Sequence, residues 1–85
     1  MKNIEVYTGP LCAFCDWTKA LLKKKGVTFK EINIGNDPNK MSEMVKKANG
    51  MRTVPQIFVD GQHIGDNNKL QALEKDGKLN AILGI

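Results

Sequence analysis

Ile4-Glu5-Val6-Tyr7-Thr8-Gly9-Pro10-Leu11-Cys12-Ala13-Phe14-Cys15 sets the plan of this chain. It begins as an apolar run, which Gly9-Pro10 breaks to start the loop that delivers Cys12. The pair Cys12 and Cys15 opens a segment, Asp16 to Lys25, that reads as a helix. A thiol where a helix begins meets unpaired backbone N–H groups and the positive end of the helix dipole, and both favour the thiolate. The thiolate is the nucleophile of disulfide exchange. A second cysteine one helical turn away lets that sulfur be released again by closing an internal disulfide.

The neighbouring segments fit around that turn. Lys2 to Thr8 is predicted as the first strand, and Phe14, Trp17, Leu21 and Leu22 give the helix one buried stripe. Lys23-Lys24-Lys25 complement the helix dipole at its C-terminal end, and Gly26 follows as the expected C′ residue. Val27 to Ile34 is a second strand whose apolar residues change faces midway, Val27 and Phe29 and then Ile32 and Ile34, as suits a strand covered on both sides. A strand, a helix and a strand in so short a span form a βαβ unit, so the two strands should run parallel.

Beyond it, Asn36-Asp37-Pro38 caps and starts a second helix. Met41, Met44, Val45 and Ala48 form that helix's apolar face, and Asn49-Gly50 ends it. Methionines at this spacing read as core rather than as ligands. Val54 to Val59 is a third strand, Asp60-Gly61 a two-residue hairpin turn, and Gln62 to Gly65 a fourth strand. Asp66-Asn67-Asn68 offers caps for a third helix, Lys69 to Lys75, and Leu79, Ile82 and Leu83 form a last amphipathic turn. This order, βαβ, then α, then ββα, predicts an α/β protein with one mixed four-stranded sheet between helices.

Bulk properties narrow the chemistry. The 85 residues suit a single domain spanning 1–85, and the 41% hydrophobic content is that of an ordinary globular chain. No apolar run approaches a membrane span, and Met1-Lys2-Asn3-Ile4-Glu5 lacks the apolar core of a signal peptide, so the cytoplasm is the expected compartment. In a reducing compartment paired cysteines are more often catalytic than structural. The net charge of +4 gathers mostly at helix ends, which argues against nucleic-acid binding while still attracting anionic peptides. Three readings of the cysteine pair stay open. A metal site finds only half of the usual four zinc ligands here, with His63 the one further candidate and better explained as a half-exposed sheet residue. A structural bridge this short constrains the unfolded chain little. Redox chemistry is what a Cys-x-x-Cys beside a βαβ pattern favours.

With these residues in view, the chain resembles the glutaredoxin family over nearly its whole length. The likeness rests on Val6-Tyr7-Thr8 leading to Cys12-Ala13-Phe14-Cys15, on Thr53-Val54-Pro55, and on Asp60-Gly61-Gln62-His63-Ile64-Gly65, in that order. It implies a thioredoxin-like fold, a cis Pro55, and glutathione-linked reduction of disulfides. It further implies that Cys12 is the attacking thiolate and Cys15 the resolving thiol. Val54 would pair its backbone with the tripeptide like an added strand, with Phe14, Thr53 and Pro55 shaping the wall and Gly65, Asp66 and Asn67 receiving the γ-glutamyl end at a helix N-terminus.

The departures from the family pattern are specific. Its usual Cys-Pro-Tyr-Cys is here Cys12-Ala13-Phe14-Cys15, which keeps an aromatic wall but loses a hydroxyl and a rigid ring. A lysine that often precedes the first cysteine and holds the glycine carboxylate is replaced by Gly9-Pro10-Leu11, leaving Arg52, Lys19 or Lys40 as substitutes. Where the family shows Gly-Gly-x-Asp-Asp, this chain has Gly65-Asp66-Asn67-Asn68-Lys69. Asn68 lacks the charge that would pair with the ammonium. Losing one charge-assisted hydrogen bond costs about 1–3 kcal/mol, a drop of about tenfold or more in affinity.

The expected protein is therefore a monomeric, metal-free dithiol oxidoreductase that uses glutathione and acts on disulfide-containing proteins or glutathione mixed disulfides. Ribonucleotide reductase is one client the resemblance suggests. Two rivals follow from the same residues: a redoxin dedicated to such a client and recycled by thioredoxin reductase, and a module in which Cys12 holds an iron–sulfur cluster between two protomers.

Overall fold

A computed structural model describes residues 2–85. In chain order it contains β1 (Ile4–Thr8), α1 (Ala13–Lys24), β2 (Lys30–Asn33), α2 (Pro38–Lys47), β3 (Gln56–Val59), β4 (Gln62–Gly65), α3 (Asn67–Lys75) and α4 (Leu79–Leu83). β1 and β2 are parallel, with Glu5 opposite Lys30 and Thr8 opposite Asn33. β3 runs antiparallel to β1, and β4 antiparallel to β3. The order across the sheet is β2-β1-β3-β4. This is the mixed four-stranded sheet that the element order predicts.

Each face of the sheet carries its own core. Alternation along β1 sends Ile4 and Val6 to an aliphatic cluster shared with Leu22, Leu70 and Leu79. Tyr7 points the other way, to a smaller cluster with Met44, Ala48 and Phe58. The predicted change of face after the first helix is seen: Val27 and Phe29 pack with the aliphatic cluster, Ile32 and Ile34 with the aromatic one. A fully buried aliphatic such as Leu22 contributes about 1.5–3 kcal/mol.

Several boundaries differ from expectation for identifiable reasons. β2 covers Lys30–Asn33 rather than 27–34, because β1 offers ladder partners only to those residues. β3 starts at Gln56 rather than Val54, since Pro55 has no N–H to give the ladder and the Val54–Pro55 peptide is cis. α1 and α3 begin earlier than predicted, with Cys12 and Asp66 as their N-caps. The inward stripe of α1 is also different. Cys15, Thr18 and Leu22 are buried, whereas Phe14 and Trp17 are 49% and 56% exposed and stack edge to face on the outside. The hairpin turn is as read: Asp60 and Gly61 both have positive φ, 51° and 80°, which a tight two-residue hairpin requires.

Candidate active site

β1 ends at Thr8, and the chain turns through Leu11, in left-handed backbone at φ 52°, before α1 begins. Cys12 is the N-cap of that helix. Its Sγ accepts the backbone N–H of Cys15 at 3.1 Å, the acceptor place that a serine or aspartate oxygen usually takes at a helix start. Its carbonyl accepts the N–H of Asp16 at 3.2 Å. Cys12 and Cys15 are joined in a disulfide. The two sulfurs are not equivalent to an incoming molecule, because Cys12 is half-buried while Cys15 is only 2% exposed.

Opposite the helix start stands the cis peptide. The Val54 carbonyl oxygen lies 3.7 Å from Cys12 Sγ. A cleft of about 240 Å³ runs beside it, lined by Phe14, Thr53, Val54, Pro55, Asp66, Asn67 and Asn68. The structure thus brings together in one cavity wall Phe14, Thr53, Val54, Pro55, Asp66 and Asn67, which the sequence scatters over the chain. Gly65 is not part of that lining. It is buried at the end of β4 with φ 141°, where an added Cβ would come within 2.9 Å of the Lys69 side chain, so it lets α3 begin close to the sheet.

The α3 start has two differently employed side chains. Asp66 Oδ1 accepts the N–H of Lys69 at 3.0 Å and so caps the helix. Asn67 is 4% exposed, and its Oδ1 accepts from the Thr18 hydroxyl at 2.9 Å and from Gln71 Nε2 at 3.3 Å. Its side chain therefore ties α3 to α1. Of the three cations considered for the missing lysine, Lys19 is engaged with Glu31 at 3.2 Å and with Asp16 at 3.8 Å. Lys40 faces Glu43 on α2 at 3.9 Å. Arg52 is exposed and directly precedes Thr53 of the cleft wall. The Thr8 hydroxyl, and then Lys19, hold the Glu31 carboxyl below the ordinary carboxylate range.

Three polar residues near the cleft were not singled out from sequence in these roles. Thr18 holds Asn67, as described. Gln56 is 0% exposed and joins Thr53 to His63. Only faint signs mark them: an amide at the head of the apolar run Ile57-Phe58-Val59, and a hydroxyl three residues after Cys15. Among the described residues there is no group of three or more His, Cys, Asp or Glu side chains placed to hold a metal ion. Among the described residues no helix is long and apolar enough to cross a membrane.

A half-buried sulfur capping a helix, with a partner sulfur beneath it and a cis proline opposite, is the working arrangement of a thiol–disulfide oxidoreductase of thioredoxin-like fold. Comparison with known proteins makes the class narrower. Residues 4–64 match the glutaredoxin family profile. The chain is 47% identical over 83 residues to Glutaredoxin 3 of Escherichia coli K12, covering 98% of this chain and 99% of the relative. Its structure aligns with the solution structure of a Brucella melitensis glutaredoxin at a TM-score of 0.85 and 41% identity, over 98% of this chain and 89% of the other. A buckwheat glutaredoxin in complex with glutathione aligns at a TM-score of 0.84 and 25% identity, over 98% and 77%. The chain belongs to the glutaredoxin family.

Proposed function

We propose that this protein reduces protein disulfides and glutathione mixed disulfides through Cys12, and that glutathione supplies the electrons. The observation that carries the reading is the position of Cys12 Sγ, which receives the Cys15 N–H and lies 3.7 Å from the carbonyl of Val54, a residue of the cleft walled by Thr53-Val54-Pro55 and the α3 start. In the reduced protein the Cys12 thiolate attacks one sulfur of the target disulfide. The Cys12–S–S–target bond forms as the target's own S–S bond breaks, and the departing thiolate takes up a proton. Cys15, lying beneath, then attacks the Cys12 sulfur as a thiolate. This releases the second target thiol and closes the Cys12–Cys15 disulfide, the form the structure holds. Two glutathione molecules restore the dithiol, giving two electrons and leaving as glutathione disulfide. With a glutathione mixed disulfide as substrate, a second glutathione replaces Cys15 as the resolving thiol.

The cleft offers glutathione a distinct contact for each part. Val54 presents backbone to pair with the peptide, between Thr53 and Pro55, with Phe14 also on the cleft wall. Asn67 and Asn68 present first-turn N–H groups to the γ-glutamyl carboxylate, while that of Lys69 is already taken by Asp66. Gly65 allows the helix start to come that close. Arg52 supplies the cation for the glycine carboxylate. Clients are proteins whose disulfides reach Cys12, ribonucleotide reductase among them, in a reducing compartment such as the cytosol.

The deciding experiment is steady-state turnover of a hydroxyethyl–glutathione mixed disulfide, with glutathione and its reductase compared against thioredoxin reductase as electron source. Turnover with glutathione alone is expected. Turnover with thioredoxin reductase and none with glutathione would replace this reading with that of a dedicated redoxin.

A further inference from the structure

Gln56 follows the cis proline and heads a strand whose other members, Ile57, Phe58 and Val59, are all buried and apolar. A buried amide is expensive unless its polar atoms are paired. Those of Gln56 are. Nε2 donates to the Thr53 carbonyl at 2.9 Å and lies 3.2 Å from the Thr53 hydroxyl. Oε1 lies 2.7 Å from His63 Nε2. The orientation of this amide is fixed by chemistry, because a carbonyl oxygen can only accept. The Gln56 atom facing Thr53 O must be the NH₂ group, so Oε1 faces His63, and His63 Nε2 must carry the proton. His63 sits on β4 with its ring 5.2 Å from that of Phe58, which fixes the far end.

An apolar pair at positions 56 and 63 would serve the sheet as well, since replacing both partners of a buried hydrogen bond by apolar groups of matching shape is nearly neutral. What the amide adds is a tie from the hairpin to one residue of the loop. Both Nε2 bonds end on Thr53, which lines the cleft and precedes the Val54 carbonyl facing Cys12 Sγ. We propose that Gln56 and His63 are positioning residues that brace Thr53, and through it the Val54 backbone, in the conformation that receives the glutathione peptide. This rests on the glutathione reading above. Neither side chain touches the reacting sulfurs.

The test uses Gln56→Met, which keeps length and burial, and His63→Leu, which strands Oε1; His63→Gln restores a donor. In the glutathione-coupled assay the first two should raise KM for glutathione about tenfold, as losing one buried hydrogen bond does. The rate of Cys12 alkylation by iodoacetamide in the reduced protein should stay as in wild type. His63→Gln should recover part of the loss. Unchanged KM in the folded variants, or a matching fall in alkylation, would overturn the proposal. Amide hydrogen exchange separates its failure from that of the glutathione reading. If wild type shows no glutathione turnover, the reading falls, and the brace still predicts faster exchange at Thr53 and Val54 in Gln56→Met with β1 amides unchanged. Equal protection at Thr53 and Val54 would dismiss the brace.

Discussion

Two parts of the site meet where Cys12 Sγ lies 3.7 Å from the Val54 carbonyl, yet they are built by unlike means. The sulfur side is local. Its geometry comes from one N-cap bond between residues three apart, Cys12 and Cys15, and from the helix that follows. The other side is collective. Thr53 is braced through Gln56 to His63 on a different strand, and the α3 start is held by Thr18 bonding Asn67 across 49 residues of chain. Reactivity thus depends on a few adjacent residues, whereas recognition depends on buried polar ties between distant elements. Damage to the first should be all or none, and damage to the second graded.

That contrast is broken or sharpened by substitution. The largest effect is expected at Cys12→Ser, which should abolish turnover of every disulfide substrate in the coupled assay. Cys15→Ser should lose protein disulfides but keep the glutathione mixed disulfide, which needs no second protein thiol; equal loss on both would show that Cys15 does more than resolve. Next comes Thr18→Val, which leaves the buried Asn67 Oδ1 with Gln71 as its remaining donor. A cost of about 0.5–1.5 kcal/mol is expected in urea unfolding, with a raised KM for glutathione and little change in kcat.

A fourth prediction lies away from both sides. The Tyr7 hydroxyl donates to Glu43 and holds that carboxyl below the ordinary range. A carboxyl lowered by folding adds stability above its unfolded pKa, and this is lost as pH falls through the folded value. Burial first, and Glu43 second, raise the Tyr7 phenol, so its contribution is present below the ordinary phenol range and is lost as pH rises through the raised value. Tyr7→Phe should therefore flatten the acid limb of the stability profile and leave the KM for glutathione unchanged. A shift in KM would mean that this pair is coupled to the cleft. The smallest effect is expected at Leu11→Gly. Left-handed backbone costs an L residue about 1–2 kcal/mol, while glycine loses about 0.5–1 kcal/mol more than alanine through chain entropy on ordering. The two nearly offset, so the urea midpoint should rise slightly or stay put.

The same division explains what could be read from the chain. Local signals were dependable: Asp37 caps α2 through the Lys40 N–H ahead of Pro38, and Asp60-Gly61 turns the hairpin with both φ values positive. The cysteine turn, the cleft-lining loop and the α3 start were each visible as short motifs. The inward stripe of α1 is only half legible: Leu22 is buried and Leu21 packs against the core as expected, but Phe14 and Trp17 lie outside, and Cys15 and Thr18, one residue on from each, take the inward places. Thr18 made the true one look polar, and only its bond to Asn67 explains why a hydroxyl belongs inside. Gln56 leaves only a faint local mark, and His63 none for this role, because their value lies in whom they meet, and a pairing between strands is not written in either strand alone.

Gly65 carries a consequence for variation in this protein. Its missing side chain is the clearance that lets the third helix start against the sheet, since even a methyl would arrive 2.9 Å from the Lys69 Cβ, and its φ of 141° is one that larger residues rarely adopt. Alanine at this position would be rejected for want of room and not for want of chemistry. Whoever surveys tolerated changes along the chain should find there an intolerant position with no reactive group, guarding the width of the doorway beside it.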